Sequence, residues 1–213
     1  MTAKESPDTS GHRTGHNSGA VQGTLDRRAV VRSLLKDRGN LLVVTGLGSS
    51  SYDAMAAGDH PRTFFLWGAM GGAAMVGMGL ALARPDERVA VITGDGEQLM
   101  GLGSFASIGA QKVKNLSIVV LDNSHYGETG MQSSHTGLGV DLVGIAAASG
   151  FTWSARISDM TGVEALRPRL HRADGPGFAS IGIAADDPAR VLPPRDGVFL
   201  KTRFRQSLGL GPI

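Results

Sequence analysis

Residues Val89 to Gln132 read VAVITGDGEQLMGLGSFASIGAQKVKNLSIVVLDNSHYGETGMQ. Two short apolar runs lie within it, Arg88–Thr93 and Leu116–Leu121. Both are rich in β-branched residues and closed by turn formers, the pattern of buried parallel strands. The first run delivers Gly94-Asp95-Gly96 and the second Asp122-Asn123, with 28 residues from Asp95 to Asn123. Oxygen-bearing side chains at the C-terminal ends of neighbouring parallel strands face the crevice where open α/β sheets bind ligands. A carboxylate, an amide oxygen and a nearby backbone carbonyl suit a hard cation such as Mg²⁺, which is commonly completed by phosphates and water. Gly94 and Gly96 carry no Cβ where a diphosphate would approach the backbone. The residues after Gly96, beginning with Glu97, offer helix N-terminal amides to the anion. The stretch reads as a cradle for a diphosphate and magnesium.

The rest of the chain sets bounds on that reading. Its 213 residues allow one domain, or one domain and a tail. At 41% hydrophobic residues it can bury a full core, and a net charge of +2 gives no footing for nucleic-acid binding. Cysteine is absent, which removes disulfides, thiolate metal sites and a cysteine nucleophile, and fits a reducing, cytoplasmic setting. Met1 to Gly23 is polar and has no apolar core of a secretory signal, so it reads as a disordered arm ahead of a domain over residues 24–213. Phe64–Ala83 holds twenty uncharged residues, the length of a membrane span. Five glycines, a strand-like start and the soluble strand that follows argue instead for a helix buried on a cofactor, with no membrane association.

Periodicity predicts helices over Thr24–Lys36 (Thr24 as cap), Tyr52–Ala57, Ala69–Ala83, Leu99–Ala110, Asp141–Ser149 and Met160–His171, the last cut short by Pro168. Strands are expected at Leu41–Val44, Thr63–Leu66, Trp153–Arg156 and Phe178–Ile183 beside the two motif strands. The C-terminal tail shows few periodic signals. This alternation implies a doubly wound α/β fold, a mainly parallel sheet with helices on both faces.

Gly-Asp-Gly, followed at this interval by Asn and then by YGETGMQ, resembles the cofactor motif of thiamine diphosphate (ThDP) enzymes. The chain from about Leu25 to Gly209 is similar to the small β-type subunits of sulfopyruvate decarboxylase and to phosphonopyruvate decarboxylase. The resemblance implies ThDP and Mg²⁺ as cofactors, held by Asp95, Asn123 and the backbone carbonyl of His125, with Gly94, Gly96 and Glu97 lining the diphosphate turn. It places Tyr126 and Gly127 beside the cofactor. It also puts the loop after the first strand next to the diphosphate, through Thr45, Gly46 and Ser49; a serine-rich turn with no ligand is the alternative. Read as a dinucleotide fingerprint, that loop gives Gly46-x-Gly48-x-x-Ser51 and lacks the third glycine, which argues against NAD and leaves a nucleotide-binding oxidoreductase as the remote alternative.

Two further positions follow from the resemblance. Gly68 would offer its carbonyl to the aminopyrimidine, and Met70 would wedge between the cofactor's two rings; core packing is the alternative for Met70. Glu128 lies near the place where many of these enzymes hold a catalytic acid, and in an apolar pocket it would return a proton to the product. Alternatively it orders its turn. Tyr126, Gln132 and His135 are candidates for facing substrate.

The glutamate that activates the aminopyrimidine belongs, in this family, to a separate pyrimidine-binding (PYR) domain, and no stretch of this chain supplies one. The resemblance therefore implies an α-type partner subunit, a shared active site and a 2-oxo acid with an anionic 3-substituent as substrate. Carboligation or oxidation with the same cofactor, and ThDP binding without catalysis, are the alternatives.

Overall fold

The computed structural model describes residues 23–211. The polar arm expected at Met1–Gly23 lies outside the described residues except for Gly23, whose backbone abuts Gly182. The described chain runs α1 (Arg27–Leu35), β1 (Leu42–Thr45), α2 (Ser49–Ala56), β2 (Thr63–Phe65), α3 (Ala73–Ala83), β3 (Val89–Gly94), α4 (Asp95–Met100) and α5 (Ser104–Gln111). It continues through β4 (Leu116–Asp122), β5 (His125–Tyr126), β6 (Gln132–Ser133), α6 (Leu142–Ala148), β7 (Trp153–Ile157), α7 (Met160–Leu166), β8 (Gly177–Gly182) and α8 (Gly197–Ser207).

Six strands form one sheet in the order β2-β1-β3-β4-β8-β7, and every pairing in it is parallel. Because successive side chains of a strand point to opposite faces, each central strand feeds two cores. Val43, Ala90, Ile92, Val119, Leu121, Ala179 and Ile181 pack on the face covered by α1 and α7. Leu42, Val44, Val89, Val91, Ile118, Val120 and Phe178 pack on the face of α3, α5 and α6. Burial on both faces explains why these strands read as unbroken apolar runs. The expected doubly wound α/β architecture is what the chain adopts.

Several boundaries differ for physical reasons. Asp26, not Thr24, caps α1, its side chain accepting from the Ala29 N–H at 2.7 Å. The helix expected from Ala69 begins at Ala73, because Gly68 and Gly71 take φ values of +74° and +84° that end any continuous helix. The helix expected over Leu99–Ala110 is two helices, α4 and α5, broken at Gly101, whose backbone presses on the Gly71 carbonyl. Pro168 does close α7, and a 3₁₀ turn over Arg167–His171 follows. The tail, for all its few periodic signals, holds α8, which buries Leu200 and Phe204 and stacks Phe204 edge-on against Phe64 at 5.6 Å. Among the described residues no helix is long and apolar enough to cross a membrane.

The connections leaving β1 and β3 diverge. The helix after β1 joins the α1 face, with Ala54 of α2 in that core, while α5 carries Phe105 and Ile108 to the opposite one. The C-terminal ends of β1 and β3 thus mark the topological switch point at which doubly wound sheets bind ligands.

Candidate cofactor site

Asp95 is the first residue of α4 and follows directly on β3, while Asn123 follows directly on β4. The in-register pairs Thr93↔Val120 and Gly94↔Leu121 bring these two ends side by side. Both side chains are buried, Asp95 at 2% and Asn123 at 7% exposure. The Asn123 Oδ1 accepts from the His125 N–H at 3.0 Å, and the His125 Nδ1 lies 2.8 Å from the Asn123 carbonyl. Ser124 takes a positive φ of 60° at this tight turn. The imidazole is thereby engaged locally.

Asp95 sits in a polar nest that sequence reading did not anticipate. Its Oδ2 accepts from the Ser134 hydroxyl at 2.5 Å, and Thr136 Oγ1 lies 3.1 Å away. Burial above all pushes the Asp95 carboxyl up to about 6; the Ser134 bond opposes this, and the neighbouring Asp122 carboxylate adds to it. A carboxylate held against its preference in a polar, buried place is the setting in which a bound cation restores the charged form.

The two glycines of the motif do different things. A Cβ on Gly94 would meet nothing within 4 Å, which leaves open space at the strand end. At Gly96 the space is filled from within the chain: a Cβ there would lie 2.7 Å from the Tyr126 ring. The missing side chain of Gly96 thus makes room for Tyr126. Glu97 does not line an open turn. It is buried, and its Oε2 accepts from the Leu47 N–H at 2.9 Å and from the Thr93 hydroxyl at 2.8 Å. Burial raises its carboxyl above the ordinary range.

In the β1–α2 loop, Thr45 Oγ1 is fully buried and bonds Ser51 Oγ at 2.7 Å, and Ser51 in turn donates to the Gly46 carbonyl. Thr45 thus shapes the turn and presents no free hydroxyl. Gly48 caps α2 with a φ of +75°. Ser49 reaches Glu128 Oε1 at 3.4 Å, which ties this loop to the loop after β5. Among the described residues Glu128 is exposed and paired with Arg190 at 3.1 Å. Gly127 and Glu128 form a 3₁₀ turn, and Tyr126 and His135 are joined by a 2.6 Å bond from the phenol oxygen to Nδ1. Gly68 lies in open space, and Met70 stands 42% exposed on the loop before α3 rather than inside a helix.

This geometry has counterparts among known proteins. Residues 46–183 match the family model of the thiamine pyrophosphate enzyme C-terminal TPP-binding domain. The chain belongs to the thiamine pyrophosphate enzymes. It is 38% identical to the sulfopyruvate decarboxylase β subunit of Methanocaldococcus jannaschii over 57% of this chain and 64% of that one. Against the β subunit from Methanothermobacter thermautotrophicus identity is again 38%, over 67% of this chain and 73% of the relative. Phosphonopyruvate decarboxylase of Streptomyces viridochromogenes is 39% identical, over 66% of this chain but only 35% of the larger relative. A solved structure described as a thiamin diphosphate-dependent enzyme from Mycobacterium smegmatis superposes with a TM-score of 0.65 over 78% of this chain and 33% of the other, at 23% identity. That likeness concerns the fold.

The residues present fit the family's cofactor. Among the described residues no group of three or more His, Cys, Asp or Glu could hold a metal by itself. One carboxylate, one amide oxygen and a backbone carbonyl are half of an octahedral set, as expected where phosphate oxygens and water complete a magnesium. Sequence reading placed Asp122 at its strand end beside Asn123 but missed Ser134, Thr136 and Arg190, which are brought in only by tertiary contacts.

Proposed function

We propose that this chain is the cofactor-binding, β-type subunit of a ThDP- and Mg²⁺-dependent 2-oxo-acid decarboxylase acting on a 3-anionic pyruvate such as sulfopyruvate or phosphonopyruvate. The observation that carries the reading is the buried Asp95 and Asn123 pair at adjacent strand ends, above open space at Gly94. In this reading residues 24–213 form one cofactor-binding unit, and the names of the relatives, two of them β subunits, support a second chain. That partner carries a PYR domain and supplies the activating glutamate.

Bound ThDP supplies the electron sink for loss of CO₂. The chain's residues hold and orient it. Asp95, Asn123 and the His125 carbonyl take the magnesium. Gly94, the β1–α2 loop from Gly46 to Ser49 and the turn held by Glu97 surround the diphosphate. Gly68 presents its carbonyl and Met70 its thioether at the exposed lip, where a cofactor and a partner would cover them. Glu128, at the mouth of the crevice, is the chain's candidate for giving a proton to the product carbon. Its pairing with Arg190 must open for that, and Tyr126 and Gly127 set the path of its loop.

Isothermal titration of the chain with ThDP and Mg²⁺, with and without a PYR-domain partner, tests this. Binding that tightens with the partner, followed by CO₂ release from a 3-anionic pyruvate, is the expected result. Absence of binding under both conditions would overturn it.

A further inference from the structure

Asp95 and Asp122 stand at the ends of neighbouring strands, with the Thr136 hydroxyl between them and the Ser134 hydroxyl on Asp95. Ser134 is fully buried and Thr136 is 8% exposed. Ser134 Oγ donates to Asp95 Oδ2. Thr136 Oγ1 lies 2.8 Å from Asp122 Oδ1, 3.1 Å from Asp95 Oδ2 and 2.9 Å from Ser134 Oγ. A hydroxyl has one hydrogen to give, so Thr136 serves one carboxylate at a time. Asp122 is well supplied without it: its Oδ1 also accepts from the Ser124 N–H at 3.0 Å and its Oδ2 from Ser180 at 3.3 Å. Both side-chain bonds to Asp95 fall on Oδ2, so among the described residues no side chain donates to Oδ1.

We infer that Ser134 and Thr136 are the positioning residues of the metal site, fixing one oxygen of Asp95 so that the other faces the cation. The inference rests on the reading of Asp95 as a magnesium ligand. Ligating carboxylates need such partners to hold their orientation, and removing one typically costs about 10–100-fold in metal affinity. Both hydroxyls follow β6, and Ser134 is pinned from behind, since its N–H donates to the Ser124 carbonyl at 2.9 Å. The loop that carries Tyr126, Glu128 and Gln132 is thus closed, through Ser134 and Thr136, onto the ligand itself. Metal binding and the order of that loop are joined through two side chains whose hydroxyls bond Asp95.

The test uses the full chain and two titrations: Mg²⁺ at saturating ThDP, and ThDP at saturating Mg²⁺. Thr136→Val keeps the shape and deletes the hydroxyl, Thr136→Ser keeps the hydroxyl, and Ser134→Ala serves if the valine variant does not fold. Expected is a Mg²⁺ affinity about 10–100-fold weaker for Thr136→Val and Ser134→Ala, and close to wild type for Thr136→Ser. High Mg²⁺ should restore ThDP affinity in both weakened variants, which a general loosening of the fold would not allow. Unchanged Mg²⁺ affinity in Thr136→Val or Ser134→Ala, with wild type binding normally, overturns the positioning role alone. A wild-type chain that binds ThDP with no dependence on Mg²⁺ overturns the metal reading and this inference together.

Discussion

The carboxylate of Glu97 occupies the space that any side chain at Gly46 would fill, and from there it accepts the Leu47 N–H at 2.9 Å. The β1–α2 loop and the start of α4, the two turns that flank the crevice, are therefore one packed unit. Gly46→Ala would drive a methyl into Glu97 and Thr93, an overpacking that costs about 1–3 kcal/mol. Thermal or urea unfolding should show that loss, and ThDP affinity should fall with it. Glu97→Gln, which keeps the shape, should retain most of the stability; equal stability of Gly46→Ala and wild type would mean that the two turns are not so joined.

Asp95 separates binding from folding. Its carboxyl is pushed up to about 6 by burial, so the charged form is a cost to the free chain rather than a support. Asp95→Asn keeps an oxygen for Ser134 and removes that cost. The variant should fold with stability equal to or above wild type in the absence of ligand, and should lose Mg²⁺-dependent ThDP binding. Calorimetric titration alongside a melting curve reads both, and tight Mg²⁺-dependent binding by the variant would contradict the assignment.

The sheet was legible because each central strand is buried on both faces, which leaves an apolar run bracketed by turn residues as at Val89–Gly94 and Leu116–Asp122. Asp95 and Asn123 were legible for the same reason, since they end those runs. What escaped was set by contacts distant in sequence. Ser134 meets Asp95 across 39 residues and Arg190 meets Glu128 across 62, and no local spacing encodes either. Gly101 breaks a helical pattern because of Gly71, thirty residues away in the chain. The last helix was readable in principle: Leu200, Phe204 and Leu208 recur every fourth residue and are all buried.

Glu128 and Arg190 form an exposed pair, with side chains 42% and 54% exposed. Pairs of this kind contribute about 0–1 kcal/mol, so Glu128→Gln and Arg190→Ala should each unfold within about 1 kcal/mol of wild type. Activity should respond far more. If Glu128 gives a proton to the product, Glu128→Gln should lower kcat about 10²–10⁴-fold with ThDP affinity kept. Decarboxylation assays with the partner subunit present decide it: an unchanged kcat would leave Glu128 with the ordering role, holding its loop to Ser49 and Arg190.

His60 predicts an acid-side loss of stability. Its Nδ1 accepts from the Arg62 N–H at 3.1 Å, which requires that nitrogen to be unprotonated. Burial, then the positive charges of Arg38, Arg62 and Arg203, hold the imidazole below its usual range, against a smaller opposing pull from Asp59. A histidine lowered in the folded state contributes stability that is present above its unfolded value, about 6.5, and is lost as pH falls through the folded value. Asp53, Asp95 and Glu97 are raised by burial and act in the opposite sense, so the comparison is made against a variant rather than against pH alone. Asn at position 60 can accept the same i+2 N–H and does not titrate. Urea midpoints measured from pH 7.5 to 5 should therefore drop further for wild type than for His60→Asn, with the two alike at pH 7.5. Parallel curves across that range would show that the turn before β2 tolerates a protonated imidazole.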